Sequence, residues 1–200
     1  MGDYIKFCNI LQLPEKYRQQ LRTWRNEPFV RERMFNSEVI SEENHNEFLR
    51  VLALNDTKKI FVCFLNNEVV GVVQLSINTD KVDFGYYVVN EKYLNSSFGV
   101  IMEYFSLEYS FNVLQLEEFI CKTLLDNKKV WKLHTKFGFE SEDKEITINE
   151  SSYKIKYQWI TKDNWPKHKE SIKRLLEHVV DMKKVEFDVC ISIYTNSNQK

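Results

Sequence analysis

The stretch from Val82 to Phe139 constrains the fold most strongly, because it alternates two strand patterns with two helix patterns. Its VDFGYYVV run is rich in β-branched and aromatic residues and favours a buried strand. Turn and cap formers follow, and apolar residues at helical spacing predict a helix that begins near Phe98. The EFICKTLL run predicts a second strand, and the next helix is capped by Asn127 and stops at Gly138. We expect these elements to surround one ligand site.

The loop before the first of these helices has the features of an anion site. Backbone N–H groups at a helix N-terminus, together with the positive end of the helix dipole, bind phosphate without a side-chain charge. The loop and helix resemble the acetyl-CoA core of the GNAT N-acetyltransferase superfamily, whose loop pattern is Gln/Arg-x-x-Gly-x-Gly/Ala. Gly99 matches that pattern, Ser97 stands where a glycine usually lies, and Leu94 lacks the usual polar side chain. The resemblance implies acetyl-CoA as co-substrate.

The helix after the second strand matches the family pattern more closely. Residues 127–139 follow Asn-x-x-(small or aliphatic)-x-x-Leu-Tyr-x-x-x-Gly-Phe, with His134 at the tyrosine position. In the family that tyrosine protonates the departing CoA thiolate, and an imidazolium near neutral pH is also a competent acid. The resemblance therefore implies that His134 is the general acid. Without the pattern, an ordinary helix-face residue that complements the dipole would be favoured.

The resemblance also implies a fold and a set of cofactor contacts. The fold is the GNAT fold, an α+β arrangement (α/β in some schemes) with a mixed, mostly antiparallel central sheet flanked by helices. The implied cofactor-binding residues come from the first strand's end, the loop and the two helix starts. They are Tyr87, Val88, Val89, Leu94, Ser97, Phe98, Gly99, Val100, Asn127, Lys129 and Val130.

The chain before this stretch predicts helices followed by a strand meander. Helical spacing favours a helix over residues 13–24, a short helical or irregular piece over 28–35, and a third helix that begins at Ser41. We expect His45 to lie on the buried side of the third helix. The other residues of that side are Phe48, Val51 and Leu52. The IFVCFL and EVVGVVQLSIN runs then predict a hairpin with an Asn-Asn turn.

Two further strand patterns, ESEDKEITI and YKIKYQWI, close the predicted sheet by about Ile160. We therefore expect an acetyltransferase domain over residues 1–160. Residues 161–200 form a C-terminal helix-strand extension, which packs on the core or serves self-association in a homodimer. The extension contains a helix that starts at Asn164 and a strand-like VEFDVCISIY run. The apolar face of that helix is Ile172, Leu175, Leu176 and Val179.

Charge and cysteine usage argue against several classes of function. With 28 Lys and Arg against 29 Asp and Glu, the formal net charge of −1 gives no reason to expect nucleic acid or a membrane surface as partner. The four cysteines lie far apart without a CxxC pair, so we expect no metal site. Cys63 and Cys121 lie in apolar strands and should be buried free thiols. The N-terminus lacks signal-peptide features, so we expect a cytoplasmic location.

Within the superfamily, residues 21–156 most resemble the pseudaminic acid pathway enzymes that acetylate the 4-amino group of a UDP-linked 4-amino-4,6-dideoxy sugar. The markers are the WRN tripeptide, Met34, and the SEENHNEF, KKIFVCFLNNEVVGVVQL and NKKVWKLHTKFGFE segments. This resemblance implies that Arg25 and His45 face the nucleotide and Met34 the sugar. The planar fork of an arginine suits a diphosphate. Spacing alone favours a surface ion pair for Arg25 and a near-core histidine for His45.

Acetyl transfer needs a group that takes a proton from the amine, a stabilised oxyanion and a proton for the thiolate, but no nucleophilic cysteine. On the VDFGYYVV strand, Asp83 and Gly85 share one face with Tyr87. Asp83 is the candidate to draw the proton from the amine, directly or through water, although a solvent-facing acid on a strand is an equal interpretation. The resemblance implies that backbone N–H groups of this strand polarise the thioester carbonyl. Gln74 and Tyr86 are further acceptor-binding candidates.

Two other functions stay open at this point. The same core could acetylate protein N-termini or a polyamine, with a concave acidic groove favouring the polyamine and open space for a peptide favouring the protein. The departures at Leu94, Ser97 and His134 also fit a degenerate domain that binds a ligand without catalysis.

Overall fold

The computed structural model describes residues 4–148, 150–178 and 185–187, in which the strands form one sheet. The strands are β1 (Ile5–Asn9), β2 (Lys58–Leu65), β3 (Glu68–Asn78), β4 (Lys81–Val88), β5 (Glu118–Leu124), β6 (Glu140–Ile148), β7 (Ser151–Thr161) and β8 (Val185–Phe187). Their order is β6-β7-β5-β4-β3-β2-β1-β8. Neighbours pair antiparallel except β4 with β5 and β1 with β8. The predicted mixed, mostly antiparallel sheet is confirmed.

The α-helices within the described ranges are α1 (Glu15–Asn26), α2 (Pro28–Arg31), α3 (Glu42–Ala53), α4 (Phe98–Glu108), α5 (Lys128–Lys136) and α6 (Trp165–Glu177). Ser41 caps α3, since its side chain accepts a hydrogen bond from the Asn44 amide at 3.1 Å. The predicted helix starts at Ser41 and near Phe98 are therefore confirmed. Asn127 occupies the N-cap position of α5, but its side chain makes no capping hydrogen bond. A side-chain cap there is a wrong prediction.

Helices cover both faces of the sheet. On one side, which we call the α4 face, α4 and α6 pack on a core that includes Phe84 and Phe119. On the other side, the α1 face, α1 and α3 place Leu21 and Leu52 against Val72. Because side chains alternate along a strand, the residues of β4 divide between these two faces.

The parallel strands β4 and β5 separate halfway along β4. They pair from Lys81 with Glu118 to Phe84 with Cys121, and no described pairing continues beyond that point. Since β4 extends to Val88, its second half borders a gap on the β5 side. This gap positions the site described below.

A glycine allows α4 to approach the sheet closely. A Cβ at Gly71 of β3 would lie 2.6 Å from Met102 Sδ and 2.9 Å from the Tyr87 carbonyl oxygen. Real Cβ atoms do not tolerate such distances, so a side chain at this position would push α4 away from β3 and β4.

The structure corrects the predicted order of elements and part of the predicted core. β1 is missing from the predicted order, because Ile5–Asn9 becomes a strand by pairing with β2, more than 50 residues away. The rotation of α3 and α6 about their axes also leaves Val51 43% exposed and Leu175 58% exposed, although both are predicted to be buried. Val179 and Cys190 lie outside the described residues.

The helix α6 packs on the α4 face of the core. Trp165 is buried, its ring stacks on Phe137 with centroids 6.1 Å apart, and its indole N–H donates to Glu108 at 2.6 Å. Ile172 and Leu176 are also buried. The division of the chain at residue 160 into a domain and an extension stays a prediction.

Candidate active site

The second half of β4 has backbone groups that no neighbouring strand pairs. The Val89 amide donates to the Val70 carbonyl beside β4 at 3.2 Å. Consecutive residues of a strand direct their backbone groups to opposite neighbours, so Tyr86 and Val88 direct theirs towards β5. Because β5 does not pair there, these amide and carbonyl groups face the gap. The gap can therefore hold an extended ligand that hydrogen-bonds like an added strand.

The N-terminus of α4 is open. Ser97 holds the N-cap position without a side-chain cap, and the Phe98 N–H donates to Ser96 Oγ at 3.3 Å. The described hydrogen bonds assign no acceptor to the amides of Gly99 and Val100. Unpartnered N–H groups and a positive dipole end bind anions at a helix start. The structure thus brings together the loop residues that the sequence assigns to a pyrophosphate.

A lysine from α5 lies against the loop that precedes α4. The Lys129 ammonium donates to the side-chain oxygen of Asn95, which has a left-handed backbone with φ of 69°. Both residues are exposed, so a positive charge stands at the solvent edge of the open helix turn. Leu94, Asn127 and Val130 are half-buried near this contact, and no hydrogen bond of the Asn127 side chain is described.

His134 lies between α5, α4 and the sheet. Its side chain is 2% exposed, and its Nδ1 is 2.8 Å from Glu103 Oε1 on α4. The imidazole is near the rings of Phe84 and Phe139, with centroid distances of 6.3 and 5.4 Å. Phe84 is the last β4 residue that pairs with β5. The imidazole therefore lies on the α4 face, beside the point where the gap opens.

Tyr86 lies on the same α4 face. A Cβ built at Gly99 would be 3.2 Å from the Tyr86 hydroxyl oxygen, so this side chain contacts the first turn of α4. Burial raises the pKa of Tyr86 well above its ordinary value, and the nearby Glu103 adds to the rise. This placement groups Tyr86 with the cofactor candidates, in disagreement with its predicted place among the acceptor-binding residues.

The α1 face of β4 carries an open area around Gly85. Asp83 and Tyr87 flank it on β4, and Gln74 is its cross-strand partner on β3. Apart from Gly85 and its two chain neighbours, no described residue has a heavy atom within 4 Å of a Cβ built at Gly85. Asp83 forms an ion pair with Lys122 of β5. We call the area bounded by these five residues the Gly85 surface.

Arg25 lies near Tyr87 at the end of α1. Its Nη2 donates to the Asn36 carbonyl at 2.8 Å, whereas Nη1 is buried without a hydrogen-bond partner among the described residues. Burial lowers the pKa of Arg25, and the Tyr87 phenol is close enough to interact with the guanidinium electrostatically. An arginine stays charged, so Nη1 is a donor available to a phosphate or carboxylate oxygen.

The loop between α2 and α3 is held against α1 and β7. Asn26 exchanges two hydrogen bonds with the backbone of Ile40, at 2.9 and 2.8 Å. The Tyr153 hydroxyl of β7 donates to the Phe35 carbonyl at 2.8 Å. Met34 is half-buried in this loop. Its predicted contact with a sugar stays a prediction.

His45 serves a contact within the fold. It is 2% exposed, and its Nε2 is 2.8 Å from the Arg18 carbonyl oxygen. Its ring also stacks near Phe48, with centroids 6.3 Å apart. These contacts join α3 to α1, and none of those described joins His45 to the Gly85 surface. Its role in nucleotide binding stays a prediction.

Glu103, Asn95 and Lys122 contribute to the site but are absent from the sequence-based candidates. Glu103 had a usable signal: it is an acid within the apolar run VIMEYFSL, and a buried acid needs a partner. Lys122 and Asn95 had none, because their partners lie 39 and 34 residues away in the chain.

These features fit acetyl-CoA on the α4 face. The amides of Gly99 and Val100, with Lys129 beside them, suit the diphosphate. The free backbone of Val88 suits the amide-containing pantetheine arm, since both have donors and acceptors in extended geometry. His134 then lies where the arm ends. The fold and this two-sided site define a transferase that takes its acyl group from a CoA thioester.

Comparison with known proteins agrees with that class. The acetyltransferase (GNAT) family profile matches residues 18–139, more than half of the chain, and the chain belongs to this family. It is an acetyl-CoA-dependent N-acetyltransferase. The predicted family, fold and acetyl donor are thereby confirmed.

The chain is also similar to individual proteins of known name or structure. Acetyltransferase PseH of Campylobacter jejuni is 28% identical over 145 residues, which cover 71% of this chain and 90% of that protein. The crystal structure of PseH from the same organism, 22% identical, covers 79% of this chain and 98% of its own with a TM-score of 0.58. PseH in complex with acetyl coenzyme A, 23% identical, covers 78% of this chain and 98% of its own with a TM-score of 0.58.

The structure of spermidine N-acetyltransferase from Vibrio cholerae with CoA and spermine is also similar, with a TM-score of 0.69 and 19% identity over 81% of this chain and 98% of that one. At this identity the likeness concerns the fold alone. Within the described ranges, no helix is long and apolar enough to cross a bilayer, and no group of three or more side chains is arranged to hold a metal ion.

Proposed function

We propose that this enzyme acetylates the 4-amino group of a nucleotide-linked amino-dideoxy sugar, with UDP as the nucleotide, in pseudaminic acid or related surface-glycan biosynthesis. The observation that carries the proposal is the buried, unpartnered Nη1 of Arg25 near the Gly85 surface. A charged donor of this kind fits a diphosphate, and the resemblance of residues 21–156 to amino-sugar acetyltransferases supports an amino sugar as the acceptor.

The site would work from two sides of the sheet. Cofactor candidates such as Gly99 and Tyr86 lie on the α4 face, whereas Gly85 and Asp83 lie on the opposite, α1 face of β4. The gap beside Tyr86 and Val88 connects the two faces. An amine that approaches over Gly85 would therefore meet a thioester held on the other side, and this alignment lowers the entropic part of the barrier.

Groups of the protein would stabilise the charges that develop during transfer. When bound, acetyl-CoA supplies an activated thioester carbonyl. The amide of Tyr86 is a fixed donor at the gap and would stabilise the developing oxyanion. Asp83, which forms an ion pair with Lys122, would receive the amine proton through water. His134 would give a proton to the sulfur that leaves.

The charges on the acceptor side favour a phosphate-bearing acceptor over a polyamine. Arg25 and Lys122 bring positive charge to this side, and Lys122 neutralises Asp83. A polycationic acceptor would be repelled by Arg25 and would find no unpaired carboxylate at Asp83.

Release of free CoA thiol with a panel of acceptors tests the proposal. The panel contains a UDP-linked 4-amino-4,6-dideoxy sugar, the same sugar without its nucleotide, spermidine and a peptide with a free N-terminus. We expect release with the UDP-linked sugar and a much higher KM for the free sugar. A preference for spermidine or for the peptide, or no release with any amine, would refute the proposed acceptor.

A further inference from the structure

The helix α4 buries a carboxylate that the mechanism above does not use. All residues from Ile101 to Leu107 are buried, and Glu103 among them is 0% exposed. A charge in such a place is expensive unless a partner compensates it. Burial raises the pKa of Glu103 above its ordinary value, with the charge of His134 opposing the rise. Glu103 therefore depends on a nearby proton or cation.

His134 is positioned to supply that compensation. Its Nδ1 is 2.8 Å from Glu103 Oε1, while Glu103 Oε2 has no hydrogen-bond partner among the described residues. The other titratable groups that act on Glu103 are Tyr86 from β4 and Cys121 from β5. Burial raises the pKa of both, so phenol and thiol are neutral near neutral pH and offer no positive charge. Among the described groups that act on Glu103, the imidazolium is therefore the one that offers a positive charge to the carboxylate.

We propose that Glu103 is a positioning residue for His134: it fixes the imidazole with Nδ1–H towards the carboxylate and Nε2 towards the gap, and it keeps a proton on the pair until the thiolate leaves. The inference rests on the proposed function for its catalytic consequence. The Glu103–His134 contact itself does not depend on which amine accepts the acetyl group.

The proton transfer balances within the pair. As the C–S bond of the tetrahedral adduct breaks, its electron pair moves to sulfur. The N–H bond at His134 Nε2 then breaks and an S–H bond forms. This leaves a neutral imidazole beside the Glu103 carboxylate, a buried net negative charge. That charge favours the return of a proton from solvent once the products have left.

The titration of His134 tests the pair without any acceptor. The chain has four histidines, so imidazole resonances can be assigned by NMR with His134→Tyr, and the exposed His178 serves as internal reference. We expect His134 to lose its proton at a higher pH in the wild type than in Glu103→Gln, whose amide oxygen still accepts from Nδ1–H but carries no negative charge.

The pH dependence of kcat extends the test to catalysis. In Glu103→Gln the alkaline fall of kcat should begin at a lower pH than in the wild type, so that kcat is reduced severalfold at alkaline pH. Glu108→Gln, a change of another partly buried carboxylate of α4 that bonds Trp165 and Lys169, is the matched control and should leave the fall in place.

Each outcome decides between pairing and packing. If His134 titrates at the same pH in the wild type and in Glu103→Gln, or if Glu103→Gln lowers kcat without moving the alkaline fall, Glu103 only packs α4 against α5 and the proposal is wrong. If the titration difference is present but no nucleotide-linked sugar is acetylated, the proposed acceptor fails and the proton-holding pair stands.

Discussion

Gly99 lies directly against the hydroxyl of Tyr86, so that a Cβ at Gly99 would be 3.2 Å from that oxygen. This contact fixes the first turn of α4 against the unpaired part of β4. The open amides of α4 and the free backbone of β4 thereby come together on one face of the sheet. A long ligand with phosphates at one end and a thioester at the other can use both.

Gly99→Asp should abolish acetyl-CoA binding. The new carboxylate would stand among the amides that are assigned to the pyrophosphate and repel it, and its Cβ would crowd Tyr86. Calorimetry with acetyl-CoA at concentrations up to about millimolar measures the loss. Asn44→Asp adds the same charge to the first turn of α3 and should leave the affinity unchanged. Equal affinity in the wild type and Gly99→Asp would show that the pyrophosphate binds elsewhere.

Replacement of two glycines of the sheet by alanine should change the stability of the protein by different amounts. At Gly71 the added Cβ would meet Met102 Sδ at 2.6 Å and a backbone oxygen at 2.9 Å. At Gly85 no described residue other than its two chain neighbours comes within 4 Å of the added Cβ. We expect Gly71→Ala to lower the free energy of unfolding by about 1–3 kcal/mol and Gly85→Ala to leave it nearly unchanged. Denaturant unfolding of both variants decides this. Similar stabilities would show that α4 does not pack closely on β3.

Arg25→Ala should weaken the binding of the acceptor and leave the binding of the cofactor unchanged. Loss of a charge-assisted contact with phosphate costs about 1.5–3 kcal/mol, which raises KM for a UDP-linked amino sugar roughly 10- to 150-fold. Arg22→Ala, on the same helix and 3.9 Å from Glu42, is the control and should keep both KM values. A joint rise of both KM values in Arg25→Ala would assign Arg25 to holding the α2–α3 loop through Asn36.

Replacing His134 should show whether this residue donates a proton or only contributes to packing. The wild-type kcat should fall as pH rises and the imidazolium loses its proton. His134→Tyr should stay active and lose this fall, because a phenol keeps its proton up to about pH 10. His134→Phe should lower kcat roughly 10²–10⁴-fold. A Phe variant with near-normal kcat and the wild-type profile would show that the thiolate leaves without a proton donor.

Local patterns made the main elements of the fold predictable. The start of α4 at Phe98 and the positive φ of 89° at Gly138 both follow from short-range residue preferences. β1 did not follow in this way, because Ile5–Asn9 is a strand only through its pairing with distant β2. Val51 has the helical spacing of a core residue, but its side chain is 43% exposed, whereas the next residue, Leu52, is buried in the core of the α1 face.

Distances between side chains were less predictable than the residues themselves. The family pattern pointed to His134, yet its partner Glu103 is 31 residues earlier and belongs to no motif. The position of Asp83 on β4 was predicted, but its ion pair with Lys122 depends on the parallel register of β4 and β5. Tyr86 was listed with the acceptor-binding residues, because strand alternation gives two faces without saying which one α4 covers.

The central claim is that acceptor and cofactor approach from opposite faces of β4, and Gly85→Val tests it most directly. Valine suits a strand, and its side chain would occupy the open space on the α1 face. The account predicts unchanged acetyl-CoA affinity by calorimetry, with kcat/KM for the nucleotide-linked amino sugar reduced roughly 10²-fold. Loss of acetyl-CoA affinity with an unchanged acceptor KM would place the cofactor over Gly85 and contradict the account.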